Sequence, residues 1–288
     1  MIDSMRVLIT ILNYNGIHLL KKHLPSVTKT EYSNFDIVVI DNGSTDNSVQ
    51  YIEKNFPNIK MVKSDTNLGF GRGNNLGVEK YPDFDAYVFL NNDISVEKNW
   101  LNELVKVAQS DKSIGAVGPK ILYSEKKGEE YTINSAGMII TKHHLAYDRY
   151  EGSKDSSKYN VIEQVDVLTG GALLVKREVF EKIKGFNSKM FLYYEDVDLC
   201  LRIKDAGYKL YYCGSSVVYH DHMASTSVLG SSKRNLLSMK NRYISIVSRM
   251  GFLIGLTETL WYIFNWLEWK LIYSKKLTLK EFLKDRDE

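Results

Sequence analysis

The sequence predicts an α/β fold with a mostly parallel central sheet, and three observations carry that expectation. Apolar runs of strand length alternate with helical periodicity over the first 110 or so residues, the pattern of β-α-β units wound on one sheet. The run Ala86-Tyr87-Val88-Phe89-Leu90 is apolar throughout, as suits a parallel strand covered on both faces. It ends in Asn91-Asn92-Asp93. Ligands in such sheets bind at the carboxyl ends of strands, so Asp93 stands where a cleft can hold a hard cation.

Taken in order, the run 6–12 reads as a core strand followed by a helix over 17–28. Strands at 36–40, 60–62 and 86–90 precede helices at 46–55, 72–80 and 96–109. After Gly115 the pattern turns strand-rich, with runs at 114–122, 138–140, 165–168 and 172–175 that should shape a second subsite. Helices at 195–206 and 232–250 flank a short strand near 209–213. The segment 251–273 is aromatic and aliphatic, but Glu258, Asn265, Glu268 and Lys270 make it costly as a spanning helix. An amphipathic helix on an anionic membrane surface fits it, as does a packing helix or a contact within a homodimer. These patterns divide the chain into a catalytic domain, 1–230, and a basic, aromatic helical extension, 231–288.

The 288 residues are 44% apolar, ordinary for a globular protein. The formal charge of +3 is uneven: from Ser231 onward 11 Lys or Arg face 6 Asp or Glu, leaving the first 230 residues near −2. Those cations sit beside an aromatic tail rather than on a basic stripe over the core, which argues against nucleic acid as a partner. Nothing resembles a secretory leader, because 5–12 fits a core strand, and a cytoplasmic address is expected. Cys200 and Cys213, the only cysteines, lack metal or disulfide spacing and read as buried, reduced thiols.

Several motifs carry chemistry. Asp41, in Ile40-Asp41-Asn42-Gly43-Ser44-Thr45-Asp46, also closes a strand, while the residues after it suit the cap of the next helix. Asn67-Leu68-Gly69-Phe70-Gly71-Arg72-Gly73 is a glycine-rich loop. It is not a dinucleotide fingerprint, because Leu76 follows Gly71-x-Gly73 and Asn74 follows Gly69-x-Gly71 where a third small residue is required. Glu195-Asp196-Val197-Asp198 crowds three carboxylates onto a helix start. The macrodipole favours one or two there, and the crowding should raise the proton affinity of at least one, useful in a general base. His220 follows Asp196 by 24 residues in Tyr219-His220-Asp221-His222, where a neutral imidazole could join Asp93 around a cation.

The chain resembles a family 2 glycosyltransferase of the GT-A fold, in the branch that includes bacterial rhamnosyltransferases. The resemblance is carried by Leu12-Asn13-Tyr14-Asn15-Gly16, Asp41-Asn42-Gly43-Ser44, Asn67-Leu68-Gly69-Phe70-Gly71, Asn91-Asn92-Asp93, Thr169-Gly170-Gly171, Gly185-Phe186-Asn187, Glu195-Asp196-Val197-Asp198 and His220, collinear over about residues 5–222. It implies inverting transfer of a sugar from a nucleoside diphosphate donor, dTDP-rhamnose or a UDP-sugar, to a hydroxyl of a lipid-linked saccharide or polysaccharide. By the same resemblance Asp196 is the catalytic base, and Asp93 and His220 meet Mg²⁺ or Mn²⁺. Asn13, Asp41, Asn67, Arg72, Asn91 and Asn92 bind the donor. Arg242 corresponds to a basic position on a flexible loop over the diphosphate. Asn91 departs from the family pattern, which often has an Asp there; an amide still bonds a ribose but brings no charge to a cation. A nucleotidyltransferase acting on a sugar phosphate, and a catalytically silent nucleotide-sugar binding protein, are the alternatives.

Overall fold

A computed structural model describes residues 4–221 and 231–272 of the chain. His222, the expected junction at Gly230 and the tail from Tyr273 lie outside these residues. The chain runs through β1 (Val7–Asn13), α1 (Ile17–Val27), β2 (Phe35–Asn42), α2 (Ser48–Asn55), β3 (Lys60–Ser64), α3 (Phe70–Lys80), β4 (Ala86–Asn91), β5 (Ile94–Val96) and α4 (Trp100–Ser110). It continues through β6 (Ile114–Tyr123), β7 (Ile133–Ser135), β8 (Met138–Ile140), β9 (Ala146–Asp148), β10 (Ile162–Gln164), β11 (Ala172–Lys176), α5 (Arg177–Lys182), α6 (Glu195–Asp205) and β12 (Lys209–His220), and closes with α7 (Ser231–Met250) and α8 (Phe252–Ile272).

The main sheet has the order β10-β12-β6-β11-β4-β1-β2-β3. All its long strands run one way except β11, which lies antiparallel between β4 and β6. Alternation along each strand sorts side chains into two apolar layers. Leu8, Val38, Ile40, Tyr87 and Phe89 face α3, α5 and α6, while Ile9, Ile11, Val39, Val88 and Leu90 face α1, α2 and α4. Period-2 runs buried on both faces thus become the middle of an α/β/α sandwich.

That topology gathers the carboxyl ends of β1, β2, β4 and β12 and the amino end of β11 on one edge. Register aligns them, with Asn13 opposite Asp41 and Leu12 opposite Asn91. Helix α3 lies close to the sheet because Gly73 has no side chain; a Cβ there would stand 2.4 Å from Leu12 Cδ1. At least this glycine of the glycine-rich segment serves packing.

Three expectations shift. The helix expected over 96–109 begins at Trp100, since Ile94 and Val96 are drawn into a short strand pairing with the end of β12. The strand expected at 165–168 lies one turn earlier, at Ile162–Gln164, and Val167 makes only an isolated bridge to Met138. The strand expected to stop at Cys213 continues past a register shift between Cys213 and Val217, which carries His220 to the functional edge. Cys200 and Cys213 are free and fully buried.

Helices α7 and α8 pack on each other, and α7 also packs on α6. Arg249 of α7 makes a paired contact with Asp205 of α6, at 2.6 and 2.9 Å. His143, in the turn between β8 and β9, stacks on Trp261 of α8 with ring centres 3.6 Å apart. The outer face of α8 stays apolar and open, with Leu253 75% and Phe264 66% exposed. No helix among the described residues is long and apolar enough to cross a membrane.

Candidate active site

At the tips of the parallel strands, amides knit neighbouring loops together. Asn92 Nδ2 donates to Asn13 Oδ1 at 2.9 Å, joining the ends of β4 and β1. Asn42 Nδ2 donates to Asn67 Oδ1 at 3.0 Å, and Asn67 Oδ1 also accepts from the Gly69 amide at 2.9 Å, shaping the loop before α3. Gly69 takes φ +80, and a Cβ would meet the Phe191 carbonyl oxygen at 2.2 Å, so only glycine fits this crossing. Asp46 caps α1 through the Ile17 amide at 3.0 Å and accepts from Ser48 at the start of α2, a structural role. Asp41 differs: its side chain is buried, and its Oδ1 has no hydrogen-bond partner among the described residues. A buried carboxylate oxygen left that way is costly unless a ligand N–H or O–H reaches it.

Asp93 is 1% exposed. His220 Nε2 stands 3.4 Å from Asp93 Oδ1, while its Nδ1 lies 2.7 Å from Asn134 Oδ1. An amide oxygen only accepts, so Nδ1 carries a proton and Nε2 is the ring nitrogen that faces the carboxylate. Metal-binding imidazoles are held in just this way by a carbonyl on the opposite nitrogen. A 3.4 Å gap between a carboxylate oxygen and an imidazole nitrogen is bridged by two metal–ligand bonds of about 2.0–2.2 Å. The pair therefore fits a divalent cation. No group of three His, Cys, Asp or Glu converges on a metal among the described residues.

Asp196 lies on the first turn of α6. Its Oδ2 accepts from the Gly170 amide at 2.7 Å and its Oδ1 from the Val197 amide at 2.8 Å. Burial raises its proton affinity, and these two amides oppose the shift. Glu195 is raised too, by burial first and the neighbouring Asp196 charge second, and its Oε2 has no hydrogen-bond partner among the described residues. Asp198, the third acid, is structural: it is fully buried against Arg202 at 2.8 Å, and that guanidinium ties down the Ile183 and Gly185 carbonyls. The helix is entered through Tyr193 and Tyr194 at φ 70 and 72. A tyrosine in that region costs about 1–3 kcal/mol and persists only where its surroundings impose it.

Two cavities meet at Asp196. A cleft of about 270 Å³ is lined by Asn67, Asn91, Asn92 and His220 together with Glu195 and Asp196. A second cavity of about 640 Å³ is lined by Tyr194, Arg234, Arg242 and Tyr262, again with Asp196. Asp93 lines neither cavity; its link to the first cleft is the contact with His220.

Asn13 and Asp41, buried at the ends of β1 and β2, do not line the first cleft, and two other expected donor residues are not at the strand ends at all. Arg72 is exposed on the first turn of α3 and does not line the cleft. Arg242 is not on a loop: it is 2% exposed inside α7, donating to the His143 carbonyl at 2.6 Å and the Glu258 carbonyl at 3.1 Å, and it faces the second cavity. The helical periodicity of 232–250 prevails over the loop that the family resemblance implied for Arg242. Asn134, which orients His220, and Asn241, whose amide donates to the Leu192 and Tyr193 carbonyls at 3.0 and 2.7 Å, had no signal in the sequence. Neither lies in a motif, and each reaches the site from a distant element.

The family model described as "Glycosyl transferase family 2" matches residues 8–184, more than half of the chain. The chain belongs to glycosyl transferase family 2. A second model, the N-terminal domain of galactosyltransferase, matches residues 151–224, which include Asp196 and His220. Among its family 2 relatives, the N-acetylglucosaminyl-diphospho-decaprenol L-rhamnosyltransferase of Mycobacterium tuberculosis is 25% identical over 251 residues, covering 81% of each chain. Rhamnosyltransferase WbbL of Escherichia coli is 26% identical over 259 residues, covering 85% of this chain and 96% of WbbL. The match to protein y4gI of Sinorhizobium fredii is 28% identical over 68% of this chain but spans only 22% of that longer protein. The crystal structure of GalNAc-T7 with UDP, GalNAc and Mn²⁺ superposes with a TM-score of 0.70 at 18% identity, over 99% of this chain and 55% of the other. The family 2 chain thus has the GT-A fold.

Proposed function

We propose that this glycosyltransferase is an inverting, metal-dependent enzyme. It moves a sugar from a nucleoside diphosphate sugar to a hydroxyl of a lipid-linked saccharide in cell-surface polysaccharide synthesis. The observation that carries this reading is the Asp196 carboxylate at the meeting of two cavities, one reaching His220 and the other lined by arginines.

On the donor side, Asp41 accepts an N–H of the nucleobase, which supplies the partner its buried oxygen lacks. Asn67, Asn91 and Asn92 offer amides to ribose and phosphate, and Asn13 holds Asn92 in place. Asp93 and His220 hold the Mg²⁺ or Mn²⁺ ion, which when bound supplies positive charge to the departing diphosphate. Asp196 takes the proton of the acceptor hydroxyl as that oxygen bonds to the anomeric carbon and the bond to the diphosphate breaks. Displacement from the face opposite the leaving group inverts the centre. Burial makes Asp196 a stronger base than an exposed carboxylate, the direction general-base catalysis needs.

On the acceptor side, Arg234 has no hydrogen bond or ion pair among the described residues and suits a phosphate. The second cavity adjoins an apolar one of about 390 Å³ between α7 and α8, lined by Leu236, Met239, Ile263 and Trp266, that suits an alkyl chain. The mycobacterial relative, an N-acetylglucosaminyl-diphospho-decaprenol L-rhamnosyltransferase, supports the same class. That relative and WbbL, both rhamnosyltransferases, favour rhamnose over other sugars as the group transferred, with dTDP-rhamnose or a UDP-sugar as the donor to test. The open apolar face of α8 supports a place at the cytoplasmic face of the membrane.

The test is to supply dTDP-rhamnose and UDP-sugars in turn with Mg²⁺ or Mn²⁺ and a synthetic prenyl-diphosphate saccharide, and to follow nucleoside diphosphate release. Acceptor-dependent release supports the reading. Pyrophosphate release from a nucleoside triphosphate and a sugar phosphate would make the chain a nucleotidyltransferase, and binding without turnover would make it a silent binder.

A further inference from the structure

Asn241 sits within α7, 2% exposed, 45 residues after Asp196. Its side-chain NH₂ has two hydrogens, and both are used: one goes to the Leu192 carbonyl at 3.0 Å and one to the Tyr193 carbonyl at 2.7 Å. Those carbonyls belong to the segment that ends in the left-handed pair Tyr193 and Tyr194. The next two residues are Glu195 and Asp196 on the first turn of α6. The amides of Gly170 and Val197 orient the Asp196 carboxylate itself, but they do not govern the backbone turn that delivers it. A strained turn relaxes unless its surroundings hold it, and α7 supplies a holding contact with both donors spent on that one purpose.

We propose that Asn241 is the positioning residue of the catalytic base: its two amide hydrogens hold the Leu192 and Tyr193 carbonyls and fix the left-handed turn that aims Asp196 at the boundary of the two cavities. The inference rests on the transferase reading given above. It also makes α7 part of the active site, so that residues 1–230 alone form a donor-binding unit with an unaimed base.

The experiment uses the full chain with Asn241→Asp and Asn241→Ala. The Asp variant keeps the shape and replaces both donors with an oxygen facing two carbonyls. Both variants should lower kcat by about tenfold to a hundredfold while donor KM and calorimetric nucleotide affinity stay within about twofold. Amide exchange should rise across 191–197 and not in β1, β2 or β4. In an Asp196→Asn background, Asn241→Ala should remove no further rate, because its effect passes through that carboxylate. Unchanged kcat, unchanged exchange at 191–197, or full additivity with Asp196→Asn each overturns the proposal. A parallel loss of kcat, nucleotide affinity and melting temperature assigns Asn241 to helix docking alone and overturns it too. If the wild-type chain releases no nucleoside diphosphate from any sugar nucleotide, the transferase reading fails, and exchange at 191–197 still decides whether Asn241 holds the turn.

Discussion

The two sides of the cleft are built by different means. On the donor side, Asn13, Asp41 and Asn91 lie at the ends of adjacent parallel strands, whose ladder register sets their spacing, and Asp93 follows just past the end of β4. On the acceptor side, Asp196 follows two left-handed tyrosines and is kept in place by Gly170, by α7 and, through Tyr194 donating to the His144 carbonyl at 2.7 Å, by the turn between β8 and β9. The proposed donor side is therefore built mainly by the sheet. The proposed base is held by parts far apart in the chain.

Substitutions that strike one side only should separate binding from turnover. Asp196→Asn should lower kcat by a factor on the order of 10² or more while calorimetric nucleotide affinity holds; near-normal turnover would take Asp196 out of its role. Asp93→Ala strikes the other side and should weaken Mn²⁺-dependent nucleotide binding by about tenfold or more, and an unchanged titration would contradict the cation site. Gly69→Ala attacks the crossing between the two sides, where the added Cβ meets the Phe191 carbonyl at 2.2 Å. It should cost about 1–3 kcal/mol in chemical denaturation and disturb binding and turnover together; an effect on only one would mean the sides are mechanically independent.

The smallest effect is in pH. Because Glu195 and Asp196 bind protons more tightly in the folded chain, the folded state keeps a proton that the unfolded state has released. Stability is then fully present at or below the ordinary carboxylate range and declines as pH rises through the raised values. Glu195→Gln should flatten that decline in melting curves between about pH 4 and pH 9, and an equal slope in both proteins would assign it to other groups.

The same contrast decides how much was legible in advance. Asp41 and Asp93 announce themselves because an apolar run ends in an acid, a local pattern with a topological meaning. His220 came from spacing, although the strand was expected to stop at Cys213 and the bulge that extends it leaves no mark in the composition. Arg242 was misplaced because the resemblance implied a loop where the chain's own periodicity runs as helix, and burial against α8 holds it there. Asn134 and Asn241 were invisible. Each contributes a hydrogen bond across the fold, and no periodicity encodes a partner 86 or 48 residues away.

The two buried thiols hold a practical consequence. Cys213 sits in the sheet and Cys200 on the helix that bears the base, and burial pushes the Cys200 thiol up to about 12. A thiol so protonated and enclosed does not react with an alkylating reagent until the surrounding structure opens. Labelling of the native chain therefore times its unfolding, with no engineered probe.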